Sequence, residues 1–292
     1  MKLSTVILPI ERWLNSKEKW RRAEELGFHT AYTYDHLSWQ RLENRPWFGA
    51  VPTLCAAAQV TTSMKIGTLV TSPNFRHPVP FAKDLLSIDD ISTGRLVVGI
   101  GSGGTGHDAT VLGVPEWSPK ERSDRFDEFV VVLDELLRSP FTSRSGQFYA
   151  AHNVRMLPGT VQAPRPPFYI AATGPRGFDL AARFAQGWVT IASSDEGSLT
   201  SEERVRQQFG ALQVALAQHQ RQVSEIERVV LDGFSDERPL ASVDAFVDWA
   251  GRYRDLGMTE LVIHWPEPDS MFDTDASTFE RITLEGMSQL RG

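Results

Sequence analysis

The stretch KIGTLVTSPNFRHPVPFAKDLLSIDDISTGRLVVGI, residues 65–100, carries one complete repeat of the pattern that decides the fold. Lys65–Thr71 is a short apolar run rich in β-branched residues, the signature of a buried strand. His77-Pro78 and Pro80 open a helix that Phe81–Ile91 continues, and Arg95–Ile100 returns to a strand. The same alternation runs outward in both directions. Toward the N-terminus, Leu3–Leu8 and Thr30–Tyr34 read as strands. Lys17–Leu26 reads as a helix, with Trp20, Ala23 and Leu26 at helical spacing, and Val51–Val60 as another. Toward the C-terminus comes a long helix, Arg122–Leu137, with Phe126, Phe129, Val130, Leu133 and Leu137 on one face. Phe168–Ala172, Gly187–Ala192, Arg228–Leu231 and Glu260–His264 are the remaining strand candidates. Phe178–Gln186, Glu202–His219, Val243–Leu256 and Thr278–Leu290 are the helices that follow them.

Eight strand candidates, each followed by a helix, in a chain of 292 residues predict an α/β fold of the (β/α)8 TIM-barrel type. The expected organisation is one domain over residues 1–292, with an excursion between strands four and five. That excursion, Ser139–Pro167, is rich in Gly, Pro and Arg, and Gln147–Tyr149 within it reads as a short strand. An open doubly wound sheet would carry a glycine-rich fingerprint after its first strand, and none stands there. Gly99–Gly104 formally matches G-x-G-x-x-G, but no strand ending in an acidic residue follows at the required distance.

The composition narrows the function. The chain is 41% hydrophobic and 23% charged with a formal net charge of −7, and it has no block of five Lys or Arg, so nucleic acid is not an expected partner. The first apolar run is broken by Ser4, Thr5 and Pro9, which argues against a signal peptide or membrane anchor. The single cysteine, Cys55, cannot form an internal disulfide and favours a reducing cytoplasm. No H-x-H, H-E-x-x-H or C-x-x-C spacing is present, so no metal set is indicated by motif.

In a barrel of this kind the chemistry sits on the loops after the strands. Asp35 and His36 follow strand two, Thr71, Ser72, Asn74, Arg76 and His77 follow strand three, and Ser102 and Asp108 follow strand four. Thr173, Gly174 and Arg176 follow strand five, and Trp265 follows His264 of strand eight. His36 offers an imidazole, the side chain most often used as a general acid or base. The glycines of 99–104 let a flat ligand lie against backbone. Gly174-Pro175-Arg176 opens a helix whose N-terminal amides suit an anion. A metal-dependent hydrolase or isomerase using Asp35, His36, His77 and His264 is a competing reading, as is a ligand-binding barrel without turnover.

Four segments in order, TYDHLSW (33–39), IGTLVTSPNFRHP (66–78), GRLVVGIGSGG (94–104) and PRPPFYIAATGPRGFDLAARFAQGWVT (164–190), resemble the bacterial luciferase-like monooxygenase family. The family's Asp-His after strand two, here Asp35-His36, resembles the branch that uses the deazaflavin cofactor F420 more than the FMN branch. The resemblance implies an F420-dependent oxidoreductase acting on a small organic substrate, with an FMN monooxygenase using reduced flavin and O2 as the alternative, and a homodimer. It implies that Asp35 bonds the deazaflavin and that His36, the catalytic candidate, lies near its reactive face. It places Leu69 and Val70, at a non-prolyl cis peptide, behind the ring. Ser102 and Gly103 would touch its edge or ribityl chain, and Gly174 and Arg176 its phosphate. Trp39, Trp47 and Trp265 are the expected walls of an apolar substrate pocket. Gly104 stands where the sugar-phosphate dehydrogenases of this branch have a carboxylic acid, which argues against a sugar-phosphate substrate.

Overall fold

The computed structural model describes residues 1–104, 107–193 and 199–290. In chain order its elements are β1 (Lys2–Val6), α1 (Trp13–Glu25), β2 (Thr30–Thr33), α2 (Ala50–Val60), β3 (Lys65–Thr71), α3 (Pro78–Ile91) and β4 (Leu96–Ile100). Next come α4 (His107–Val111), α5 (Pro119–Arg138), β5 (Phe141–Ser145), β6 (Ala150–Arg155), β7 (Phe168–Ala171), α6 (Pro175–Phe184) and β8 (Gly187–Ser193). The last group is α7 (Ser201–Gln218), β9 (Glu227–Phe234), α8 (Val243–Asp255), β10 (Glu260–His264), α9 (Ala276–Arg281) and α10 (Met287–Gln289). Strands pair in the closed order β1-β10-β9-β8-β7-β4-β3-β2, every pair parallel. The eight strands expected from the sequence are the eight strands of the barrel.

Closure follows from the period of two along each strand. In β4, Leu96, Val98 and Ile100 face the surrounding helices, while Val97 joins the cluster inside the barrel. In β10, Leu261 and Ile263 face out and Val262 faces in. The helices close the outer layer with Trp20, Phe81, Phe129 and Trp249, which pack with Trp188 from the outer face of β8, each essentially without solvent exposure. Each such side chain contributes about 1.5–3 kcal/mol by leaving water. At Gly99 the sheet allows no side chain, because a Cβ would collide with the Thr68 carbonyl of the neighbouring strand.

The excursion lies between the fourth and fifth barrel strands as an antiparallel hairpin, β5 with β6. Gln147–Tyr149 is its turn rather than a strand. The amides of all three residues point at the Glu128 carboxylate, at 2.8–3.1 Å, so they cannot join a ladder. Arg165 anchors the return to the barrel. Its side chain is almost wholly buried, lies 3.4 Å from the Phe168 ring centroid and donates to Asp134 at 2.6 Å, to the Gln186 side chain at 2.9 Å and to the Phe184 carbonyl at 2.9 Å.

Breaking such a pair from one side leaves an uncompensated buried cation, which typically costs about 3–5 kcal/mol. Asp134→Asn should therefore lower the unfolding free energy by about 3 kcal/mol in a urea titration. A loss below about 1 kcal/mol would mean that Gln186 and the carbonyls alone hold Arg165.

Candidate active site

The end of β2 supplies Tyr34, Asp35 and His36, and each reaches a different partner. Asp35 is 1% exposed. Arg76, from the loop after β3, meets it side-on, with Nη2 donating to Oδ1 at 2.7 Å and Nε to Oδ2 at 3.0 Å. Thr71, the last residue of β3, donates its hydroxyl to Oδ2 at 2.6 Å. The planar fork matches the carboxylate and satisfies the desolvated charge, while the rings of Phe75 and Phe81 lie 4.8 and 5.3 Å from the guanidinium.

His36 is tied to α4. Its Nδ1 lies 2.7 Å from Asp108 Oδ2, and the Leu37 amide donates to Oδ1 of the same carboxylate at 2.7 Å. Asp108 is 3% exposed and His36 about a quarter exposed. Since a carboxylate accepts, Nδ1 carries the proton and Nε2 is left as the nitrogen that can take or give one. Trp47 donates its indole N–H to the His36 carbonyl at 2.8 Å, fixing the backbone on the other side.

The loops after β3 and β4 build a cradle beside this pair. The Leu69–Val70 peptide is cis, and both side chains belong to the interior cluster. Gly101 lies against Val70, where a Cβ would come within 2.7 Å of Cγ2. Gly103 has φ +76°, a conformation that favours glycine, and a Cβ there would collide with the Asn74 amide. Asn74 donates to the Gly103 carbonyl at 3.0 Å. Ser72 Oγ and Asn74 Oδ1 are buried with no partner. Space is open around Gly104 and Gly174, where an added Cβ would meet nothing within 4 Å.

Aromatic rings line the far side. Tyr34 OH lies 2.8 Å from His264 Nε2, and a backbone hydrogen bond to Asp232 takes the other side of that imidazole. A carbonyl only accepts, so the ring proton faces Asp232 and Nε2 accepts from Tyr34. Burial pulls the His264 pKa down to about 3. Phe272 stacks on His264 at 3.6 Å and Trp39 on Phe272 at 5.9 Å. Trp39 also meets Tyr34 edge-on at 5.4 Å and lies 6.4 Å from Trp47.

Residues 6–260 match the model of the Bac_luciferase family, the luciferase-like monooxygenases. The chain belongs to that family. Within it, the F420-dependent glucose-6-phosphate dehydrogenase of Microbacterium testaceum is 26% identical over 299 residues, covering 85% of this chain and 86% of that protein. The F420-dependent hydroxymycolic acid dehydrogenase of Mycobacterium tuberculosis is 30% identical over 175 residues, 58% of this chain and 47% of that one. The structure of the coenzyme F420-dependent tetrahydromethanopterin reductase from Methanopyrus kandleri superposes with a TM-score of 0.79 over 99% of both chains at 18% identity, a likeness of fold.

This member of the family brings Asp35, His36, Leu69, Val70, Gly103, Trp39 and Trp47 to one mouth, and Ser102 sits in the glycine-rich turn between Gly101 and Gly103. It does not bring Trp265 there. Trp265 packs outside the barrel against Phe28 at 6.5 Å and Phe279 at 5.2 Å, because His264 already takes the inward position of the alternating strand. Arg176 is half exposed and engaged with Asp124 of α5 at 2.7 Å. His77 caps α3 by accepting from the Val79 amide at 3.2 Å, and His264 serves Tyr34. The residues of the metal reading thus face separate partners, and among the described residues no three His, Cys, Asp or Glu side chains gather as a metal site would need. Asp108 was legible only as a polar residue after strand four, and Phe234 and Phe272 carried no signal at all.

Two outcomes follow from this geometry. Arg76→Gln should cost about 3 kcal/mol of stability by stranding Asp35, and Asp35→Asn in the same chain should recover most of it. Additive losses in the double mutant would show that the pair is not coupled. Folded His264 refuses a proton down to about pH 3, whereas the unfolded residue takes one near 6.5. Its contribution to stability is therefore complete above that upper value and is lost as pH falls toward the lower. Urea midpoints measured across this window should fall less steeply for His264→Gln than for the unaltered chain.

Proposed function

We propose that this chain is an F420-dependent oxidoreductase that moves a hydride between the deazaflavin C5 and a small organic substrate, within one barrel spanning residues 1–292. The observation that carries the reading is His36, held by buried Asp108 next to a glycine-lined, polar-edged cradle. The fit to a flat cofactor rests on that cradle. Its buried Ser72 and Asn74 oxygens are without partners, and Gly101 and Gly103 keep side chains out of it. The F420 dependence of both curated relatives supports the choice of cofactor.

When bound, the deazaflavin supplies a ring carbon that takes up or releases a hydride. Leu69 and Val70 would back the ring, and Ser102 and Gly103 would meet its edge or ribityl chain. Gly174, at the start of α6, would take the phosphate, with Arg176 giving up part of its exposed pairing with Asp124. Asp35 acts chiefly through Arg76 and Thr71, fixing the loops after β2 and β3 against each other. His36 Nε2 is the group placed to hold or release the proton of a substrate oxygen as the hydride moves, and Asp108 keeps the ring in the tautomer that allows it. No side chain stands at Gly104, where the sugar-phosphate dehydrogenases of the branch it resembles have a carboxylic acid, and among the described residues this work falls to His36. Tyr34, Trp39 and Trp47 exclude water from the same space.

Fluorescence titration of the purified protein should show tight binding of oxidised F420 and weak or no binding of FMN. A preference for FMN would redirect the reading to a monooxygenase using reduced flavin and O2. With F420 bound, His36→Ala should lower turnover about 100-fold, in line with the usual worth of one acid–base group. Asp108→Asn should lower it about tenfold. The F420 dissociation constant should stay unchanged in both. Unchanged turnover in His36→Ala would remove it from the mechanism.

A further inference from the structure

Beside the aromatic wall, between the loops after β9 and β10, lies a cleft of about 720 Å³. Its apolar side is made by Phe234, His264 and Phe272. Around them Asp236, Glu237, Asp273 and Asp275 stand against Arg41 and Arg238. Arg41 is partly committed, lying 5.5 Å from the Phe234 ring and donating to the Met271 sulfur.

The independent feature is Asp232, which also lines the cleft. It is 6% exposed, and its Oδ1 has no partner. Glu237 nearby has one oxygen paired with Arg252 at 3.3 Å and the other, Oε2, buried without a partner. The hydroxyl oxygens of Ser235 and Tyr253 are buried and unpartnered as well. Unpaired carboxylate oxygens away from water are costly, and only a donor can relieve them. An ammonium group offers three donors and a compensating charge. A phosphate or carboxylate would add like charge to the same space, so neither a sugar phosphate nor the phosphate-bearing arm of a deazaflavin suits this side of the mouth.

We infer that the cleft recognises a protonated amine on an organic substrate whose apolar body lies against Phe234 and Phe272, with Asp232 and Glu237 as the charge partners. This rests on the oxidoreductase reading, since it makes the cleft the substrate side of the mouth that His36 serves. The protonation of Asp232 supports it. Burial pushes that carboxyl up to about 7 and the charge of Glu237 adds to the rise, against a backbone hydrogen bond from Gly233. The remaining groups around it are Tyr253, with Arg252 and Glu202 acting on it, and neutral His264. A bound cation favours the ionised form, so near neutral pH its binding expels part of a proton from the half-protonated group.

The test is calorimetric titration of the purified protein with phenethylamine, 2-phenylethanol and phenylacetate, each in two buffers of different ionisation enthalpy, with F420 titrated in parallel. The amine should bind at least tenfold more tightly than the alcohol, phenylacetate should give no heat, and amine binding at pH 7 should release a fraction of a proton. Asp232→Asn should abolish the preference and the proton release while leaving alcohol and F420 binding unchanged. Glu237→Gln should weaken the amine severalfold and keeps the test open if the first variant does not fold. Equal affinity for amine and alcohol, no binding of any probe, a preference for phenylacetate, or an amine preference that survives Asp232→Asn would overturn the inference. If it falls while F420 still binds, the oxidoreductase reading stands. If amine discrimination is found without F420 binding, it is that reading that falls.

Discussion

A charge taken out of water must be answered within a few ångströms, and at the mouth of this barrel that requirement sets everything else. Asp35 leaves the end of β2 almost fully buried, and Arg76 answers it with both arms of its guanidinium. Satisfying that pair fixes the loop after β3, which in turn presents Asn74 to the Gly103 carbonyl and so fixes the turn after β4. The chain then runs on to Asp108, whose carboxylate returns to His36 and the Leu37 amide. The circuit closes one residue from where it began. Asp35 and Arg76 thus tie together the loops after β2 and β3 that flank the glycine cradle, and Asp108 sets the orientation of His36 beside them.

Much of this could be read in the sequence, and the boundary of what could not has a physical cause. The eight strands were legible because each is a run of alternating or wholly apolar residues bounded by polar turns, and the barrel follows from their number and order. The Asp35-His36 pair was legible as a candidate because strand ends mark the mouth. Trp265 was misplaced although the information was present, since a strand that points Val262 and His264 inward points its next residue outward. Gln147–Tyr149 misled for another reason. Its aromatic content favours a strand, but Glu128, on a helix distant in sequence, captures the amides.

The partnerships were not legible. Nothing local joins His36 to Asp108 or Arg176 to Asp124, and a single sequence carries no trace of which carboxylate a cation will meet. Phe272 lies in an irregular segment after β10 whose path only tertiary packing decides, yet it stacks on His264 and supports Trp39. These contacts form between segments that periodicity describes separately.

The mouth is held in two different ways on its two sides. After β2, β3 and β4 it is fastened by a buried ion pair, a shared carboxylate and glycines whose neighbours leave no room for a side chain. After β9 and β10 it is held by rings stacked face to face and edge to edge, contacts that one aromatic or aliphatic residue can replace with another. Neighbouring rings can therefore absorb an exchange around Phe234 and Phe272, while an exchange at Asp35 or Arg76 strands a buried charge and a side chain at Gly103 meets the Asn74 amide. The division between a part that tolerates no single substitution and a part that can repack around one lies in the kinds of bonds that hold each.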